Sequence, residues 1–203
     1  MKIRRTLDDM MSSIGKLING VLANPDILEK VIPYGYTEER IRTEGLAKYE
    51  YVQSLILLQK KEYGDQYEAK NVYENLWSAA SDVYMSILKL SRIALKNKPG
   101  ILHSIGANGN RKRTLTGFLK EARMLYGNLL GQPEAMNEMV KWGVSKEKLE
   151  TASAGIDELD ASYIAYNKER GEAQDATVKR DNEFDELYEW YSDFRAVTRI
   201  AVN

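Results

Sequence analysis

The sequence predicts an all-α fold: two tandem three-helix antiparallel bundle repeats with a pseudo-two-fold relation. Apolar residues recur at helical spacing along most of the chain, no stretch reads as a strand, and the chain matches itself when shifted by about half its length. A shift of 108 residues places Arg5-Thr6-Leu7 on Arg113-Thr114-Leu115, Leu17 on Leu125, Pro25 on Pro133, Gly35 on Gly143 and Thr43 on Thr151. With the shift relaxed to 107, Asn75 falls on Asn182, Tyr84 on Tyr191 and Arg92-Ile93-Ala94 on Arg199-Ile200-Ala201. A shared helical rhythm would not align proline, glycine and arginine, so we read a head-to-tail duplication with one single-residue slip.

Each copy opens with an amphipathic helix. Its stripe is Leu7, Met10, Met11, Ile14, Leu17, Ile18 and Val21 in the first copy, and Leu115, Phe118, Leu119, Ala122, Leu125, Tyr126 and Leu129 in the second. Pro25 and Pro133 then restart a short helix, because proline is tolerated in a first turn and not inside. Gly35 and Gly143 close it, and Thr37 and Ser145 are placed to cap the second long helix.

That second helix is expected over 38–63 and 146–170. Its stripe in the second copy is Leu149, Ala152, Ile156, Leu159, Tyr163 and Tyr166. The first copy matches it through Ile41, Tyr51, Leu55 and Leu58 but departs at Glu44 and Lys48. The third helix is expected over 67–97 and 174–202, carrying Leu76, Ala80, Val83, Ile87 and Leu90, then Phe184, Leu187, Trp190, Tyr191 and Phe194. The domains are then residues 1–97 and 113–203, with 98–112 as a linker. The alternative is a merger of both repeats into one bundle.

Composition closes off several function classes. The 203 residues are 43% apolar, enough for a core. Lys plus Arg (29) balances Asp plus Glu (30), so a broadly basic nucleic-acid face is disfavoured. There is no cysteine and one histidine, His103. That removes thiolate chemistry and leaves too few ligands for the usual zinc and di-iron sites. The expectation is no cofactor, no metal and no enzymatic activity. Asp8 and Asp9 interrupt the apolar run an export signal needs, and nothing approaches the length of a membrane span. A cytoplasmic location is the default expectation.

Some residues remain as candidate contacts. Arg92 and Arg199 recur in one context at the end of the third helix, where a cation suits the helix dipole. Glu39 and Glu147 are their expected partners, and anion binding is the alternative. Thirteen tyrosines invite a ligand cleft or an interface, with Tyr34, Tyr36, Tyr163, Tyr166 and also Trp142 as contacts. The run Arg111-Lys112-Arg113 after an Asn-Gly turn is open to an acidic partner, a phosphate or RNA, and otherwise supports the start of the next helix.

The segment Leu187-Tyr188-Glu189-Trp190-Tyr191-Ser192-Asp193-Phe194-Arg195, ending in Arg199-Ile200-Ala201, resembles the C-terminal pattern of a group of helical bacterial proteins. That resemblance implies a helical fold and a bacterial setting, and no activity. The functional expectation is a non-catalytic helical module that binds a protein partner or associates with itself. The alternative is a small-molecule or anion binder using a tyrosine-lined cleft.

Overall fold

The structure, a computed structural model, describes residues 6–203; Arg5, aligned above with Arg113, lies outside the described residues. The fold is all-α, and no strand occurs among the described residues. Helix α1 (Leu7–Leu22) starts from a capping box: the Thr6 hydroxyl accepts the Asp9 N–H, and the Asp9 carboxylate accepts the Thr6 N–H, each at 3.2 Å. Pro25 begins α2 (Pro25–Val31), capped by Asn24, and a 3-10 turn (Ile32–Tyr34) comes next. Gly35 then takes φ 84°, a conformation open to glycine, and Thr37 caps α3 (Glu38–Arg40). A π-helical stretch (Ile41–Leu46) leads without a break into α4 (Ala47–Ala94).

The second copy repeats this local grammar. After α5 (Pro99–Ser104), Thr114 caps α6 (Leu115–Gly131), and Pro133 opens α7 (Pro133–Lys141). Gly143 takes φ 75°, and Ser145 caps α8 (Lys146–Val202) by accepting the Lys148 N–H.

The turn expected between the second and third helices is absent from both copies. Helix α4 runs for 48 residues through Gly64, and α8 for 57 residues through Gly171. The sequence around each glycine explains this. Lys60–Asn71 and Lys168–Lys179 contain no proline and are rich in Lys, Glu, Gln and Ala, all good helix formers. A lone glycine weakens such a helix without breaking it, and neither glycine has positive φ.

Continuity redistributes the copies. One compact unit combines the described residues up to Gly64 with Arg170–Asn203, and the other is Asp65–Glu169. The units therefore do not coincide with residues 1–97 and 113–203. Each takes the first two segments of one copy and the third segment of the other. Nor is 98–112 a solvated linker, since Ile105 and Ala107 are buried in the core of the Asp65–Glu169 unit.

Equivalent positions fill the two cores. In one, Met11, Ile14, Ile18, Val21, Val31 and Ile41 are buried with Leu187, Tyr191 and Phe194. In the other, Leu119, Ala122, Tyr126, Leu129, Met139 and Leu149 are buried with Tyr84 and Ile87. Ser91 and Thr198, equivalent under the 107-residue shift, are both buried. Each donates its hydroxyl to the carbonyl four residues earlier, Ile87 at 2.8 Å and Phe194 at 2.7 Å.

The π-helical stretch accounts for the slip. A π turn holds one residue more than an α turn, and Ile41–Leu46 lies where the shift passes from 108 to 107. Before it Ile41 matches Leu149; after it Tyr49 matches Ile156 and Val52 matches Leu159. Ile41, Val52, Leu149, Ile156 and Leu159 are all buried, and Tyr49 packs against its core. The first-copy stripe expected through Tyr51 and Leu58 is thus one residue out, and both side chains are exposed. Only Leu55 of that set past the π stretch is buried.

Helix continuity makes a prediction at both glycines, where an added Cβ meets nothing within 4 Å. Gly64→Ala and Gly171→Ala should each stabilise the protein by about 0.5–1 kcal/mol in chemical denaturation. A loss of stability at either site would indicate a turn there.

Candidate functional site

The arginines singled out by sequence do not make the ion pairs expected of them. Arg92 donates from Nε to the carbonyl of Ala107 at 2.9 Å, tying the end of α4 to the segment after α5. Arg199 is exposed on α8. Among the described residues neither pairs with a carboxylate. Glu147 instead serves its own helix: bonds to its own backbone N–H and to Ser145 hold its carboxyl below the usual range. Capping satisfies a carboxylate in the first turn more cheaply than a long arginine reaching across helices.

The basic run divides. Arg111 turns inward, donating from Nη1 to the Tyr84 hydroxyl (2.8 Å) and from Nη2 to the carbonyls of Asn108 (2.8 Å) and Gly109 (3.2 Å). Glu121 lies 3.6 Å from it and also accepts the Lys112 N–H at 3.3 Å. Arg111 is thus a strut across the joint, while the side chains of Lys112 and Arg113 are exposed. The three residues border a hollow of about 260 Å³.

The tyrosines also separate. Tyr36 is core: it is buried, 4.9 Å from the Phe194 ring, with the Arg40 guanidinium 4.8 Å over its face. Tyr163 and Tyr166 pack on Tyr73, the latter parallel at 5.9 Å. The row continues through Trp77, Phe118 and Tyr84 to Tyr126 at centroid spacings of 5.3–6.4 Å. These rings knit α4, α6 and α8 within the Asp65–Glu169 unit. Tyr34 and Trp142 stand half in solvent.

One concavity in that unit was not visible as a motif. It is a half-open cleft of about 450 Å³ between α4, α6 and α8, within the size range of small-molecule sites. Leu76, Ala80 and Val83 form its apolar wall, with Tyr126 from α6 and Gly155 from α8. Lys148, Thr151 and Glu158 are its polar members. Tyr126 is buried and its hydroxyl finds no hydrogen-bond partner, an arrangement that costs stability. Burial also pushes its pKa up, with a smaller contribution from Tyr84. Small residues spaced along two helices carry no recognisable signature by themselves, which is why sequence reasoning passed over the cleft.

No family model, curated protein or solved structure matches the chain.

The orphan hydroxyl gives a testable result. Tyr126→Phe should raise stability near neutral pH by about 1 kcal/mol, since an unpaired polar atom leaves the interior. The folded-state pKa of Tyr126 lies above its ordinary value of 10.0. Its ionisation therefore leaves stability unchanged below pH 10 and lowers it as pH climbs from there toward the folded-state value. Urea titrations between pH 7 and 11 should show a shallower alkaline decline in the variant; an unchanged decline, or a less stable variant, would contradict the assignment.

Proposed function

We propose that the chain is a non-catalytic helical module that associates with itself or with a protein partner through one tip on each unit. The observation carrying this reading is a repeated exposure. Ile32 and Tyr34 are 45% and 50% exposed beside α2, and Val140 and Trp142 are 55% and 48% exposed at the end of α7. The 108-residue shift makes Ile32 equivalent to Val140 and Tyr34 to Trp142. Each unit thus presents one branched aliphatic and one large aromatic side chain at the same place.

Scattered exposed apolar residues need no explanation, but the same pair at the same place in both copies favours a shared use. Tyrosine and tryptophan are the residue types that concentrate at binding hot spots. Covering the exposed half of such a ring removes about 75–125 Å² from water, contributing about 2–3 kcal/mol before the cost of association. Two such tips support association without any catalytic group. No helix among the described residues is long and apolar enough to cross a membrane, so a lipid-spanning role does not compete for these side chains.

Light scattering across a concentration series should show association that weakens at least tenfold in Tyr34→Ala/Trp142→Ala, with circular dichroism unchanged. A chain that stays monomeric at every concentration and captures no partner, or a double variant that associates as well as the parent, would count against the reading.

A further inference from the structure

We infer that the cleft of the Asp65–Glu169 unit is a binding site for a planar aromatic molecule of about indole size. The reason lies in what occupies the equivalent place in the other unit. There the Trp190 ring lies 4.9 Å from Phe194 and edge-on to Tyr36 at 6.1 Å. It also rests against Gly45, so closely that a Cβ built on that glycine would run into the indole. One turn along the same helices, Lys48 and Glu186 pair at 2.7 Å.

A shift of 107 residues carries each of these positions into the cleft. Trp190 corresponds to Val83, Gly45 to Ala152, Lys48 to Gly155 and Glu186 to Ala79. All four counterparts line the 450 Å³ space. An indole ring has become an isopropyl group, and both members of the ion pair have been cut back to a methyl or a hydrogen. The cleft is the volume that one unit fills with its own tryptophan and the other leaves open.

A well-packed interior of this kind does not tolerate a void without cost. Here the helices that frame the space are tied to one another beside it, α4 to α6 by the rings from Tyr73 to Tyr126 and α4 to α8 by Tyr73 against Tyr163 and Tyr166. The slot therefore persists without its indole. An untethered flat bicyclic ring fits beside the Ala152 methyl that replaces the Gly45 hydrogen, because Val83 in place of Trp190 and Ala79 and Gly155 in place of the ion pair leave room for it to sit further along the cleft. Its walls suit an apolar ligand, since Leu76, Ala80 and Val83 offer no polar side-chain atom, and Ile18 of the filled unit is replaced by the aromatic Tyr126. Lys148 and Thr151 are available for a polar substituent at the rim. This site is separate from the tips beside α2 and α7 and does not depend on association.

The test is calorimetric titration of the full chain with indole and 2-naphthol, against aliphatic alcohols of similar carbon number. Saturable binding of the aromatic compounds, at least fivefold tighter than the aliphatic ones, is expected. Val83→Trp/Ala152→Gly, which rebuilds the tryptophan site, should weaken indole binding more than tenfold and raise the melting temperature. Ala79→Glu/Gly155→Lys, which rebuilds the ion pair one turn away, should weaken it without needing the ring to seat. Absence of saturable indole binding, equal binding of the aliphatic alcohols, or undiminished binding in whichever of these variants remains folded would overturn the assignment.

Discussion

Between Lys60 and Asn71, and again between Lys168 and Lys179, the backbone is free to turn or to stay helical, and its choice of helix governs the rest of the molecule. The only buried side chains in these segments are Ala173 and Ala176 of the second, so tertiary packing weighs little on the outcome. Intrinsic propensity decides it. Lysine, glutamate, glutamine and alanine favour continuation, and the single glycine in each segment costs only about 1 kcal/mol. Because both helices continue, the third segment of each copy is delivered to the core begun by the other. The buried partners of Ile14, Ile18 and Val21 are Leu187 and Phe194 rather than Ile87 and Leu88. Neither copy encloses a core of its own.

The second governing feature is the π turn at Ile41–Leu46. An extra residue inside an α-helix rotates everything after it by about 100°, which would swing a buried stripe toward solvent. A single widened turn absorbs that residue, so Val52 and Leu55 return to the core while Tyr51 and Leu58 face outward. The same turn places Gly45 beneath Trp190. An irregularity of backbone geometry and a packing difference between the units thus meet at one location. There too the two units differ, one filled by an indole and the other open.

Much of the fold was legible in the sequence. The all-helical class, the proline-initiated short helices, the positive-φ glycines and the hydroxyl caps each stem from residues whose local preferences are strong. The departures of Glu44 and Lys48 from the expected stripe fall at and just after the π turn, which the sequence itself did not announce. What sequence did not reveal was the fate of the weakly determined segments. The buried stripes lapse around Gly64 and Gly171, which reads as a turn, whereas the helix-forming residues there continue the helix and so move the domain boundaries. Site residues fared unevenly for a related reason. Aromatic and cationic side chains announce themselves, yet Tyr36 turned out to be core and Arg111 a strut. The cleft is made by the smallness of Ala79, Val83, Ala152 and Gly155, and small residues become informative only beside their larger counterparts in the other copy.

The exchange of third segments is the claim on which these relations rest, and fragment folding examines it most directly. Thermal unfolding of isolated residues 65–169, monitored by circular dichroism, should be cooperative, because that fragment contains one whole core, whereas residues 1–97 should show no cooperative transition. The reverse result, with 1–97 folding alone and 65–169 failing to, would contradict the account.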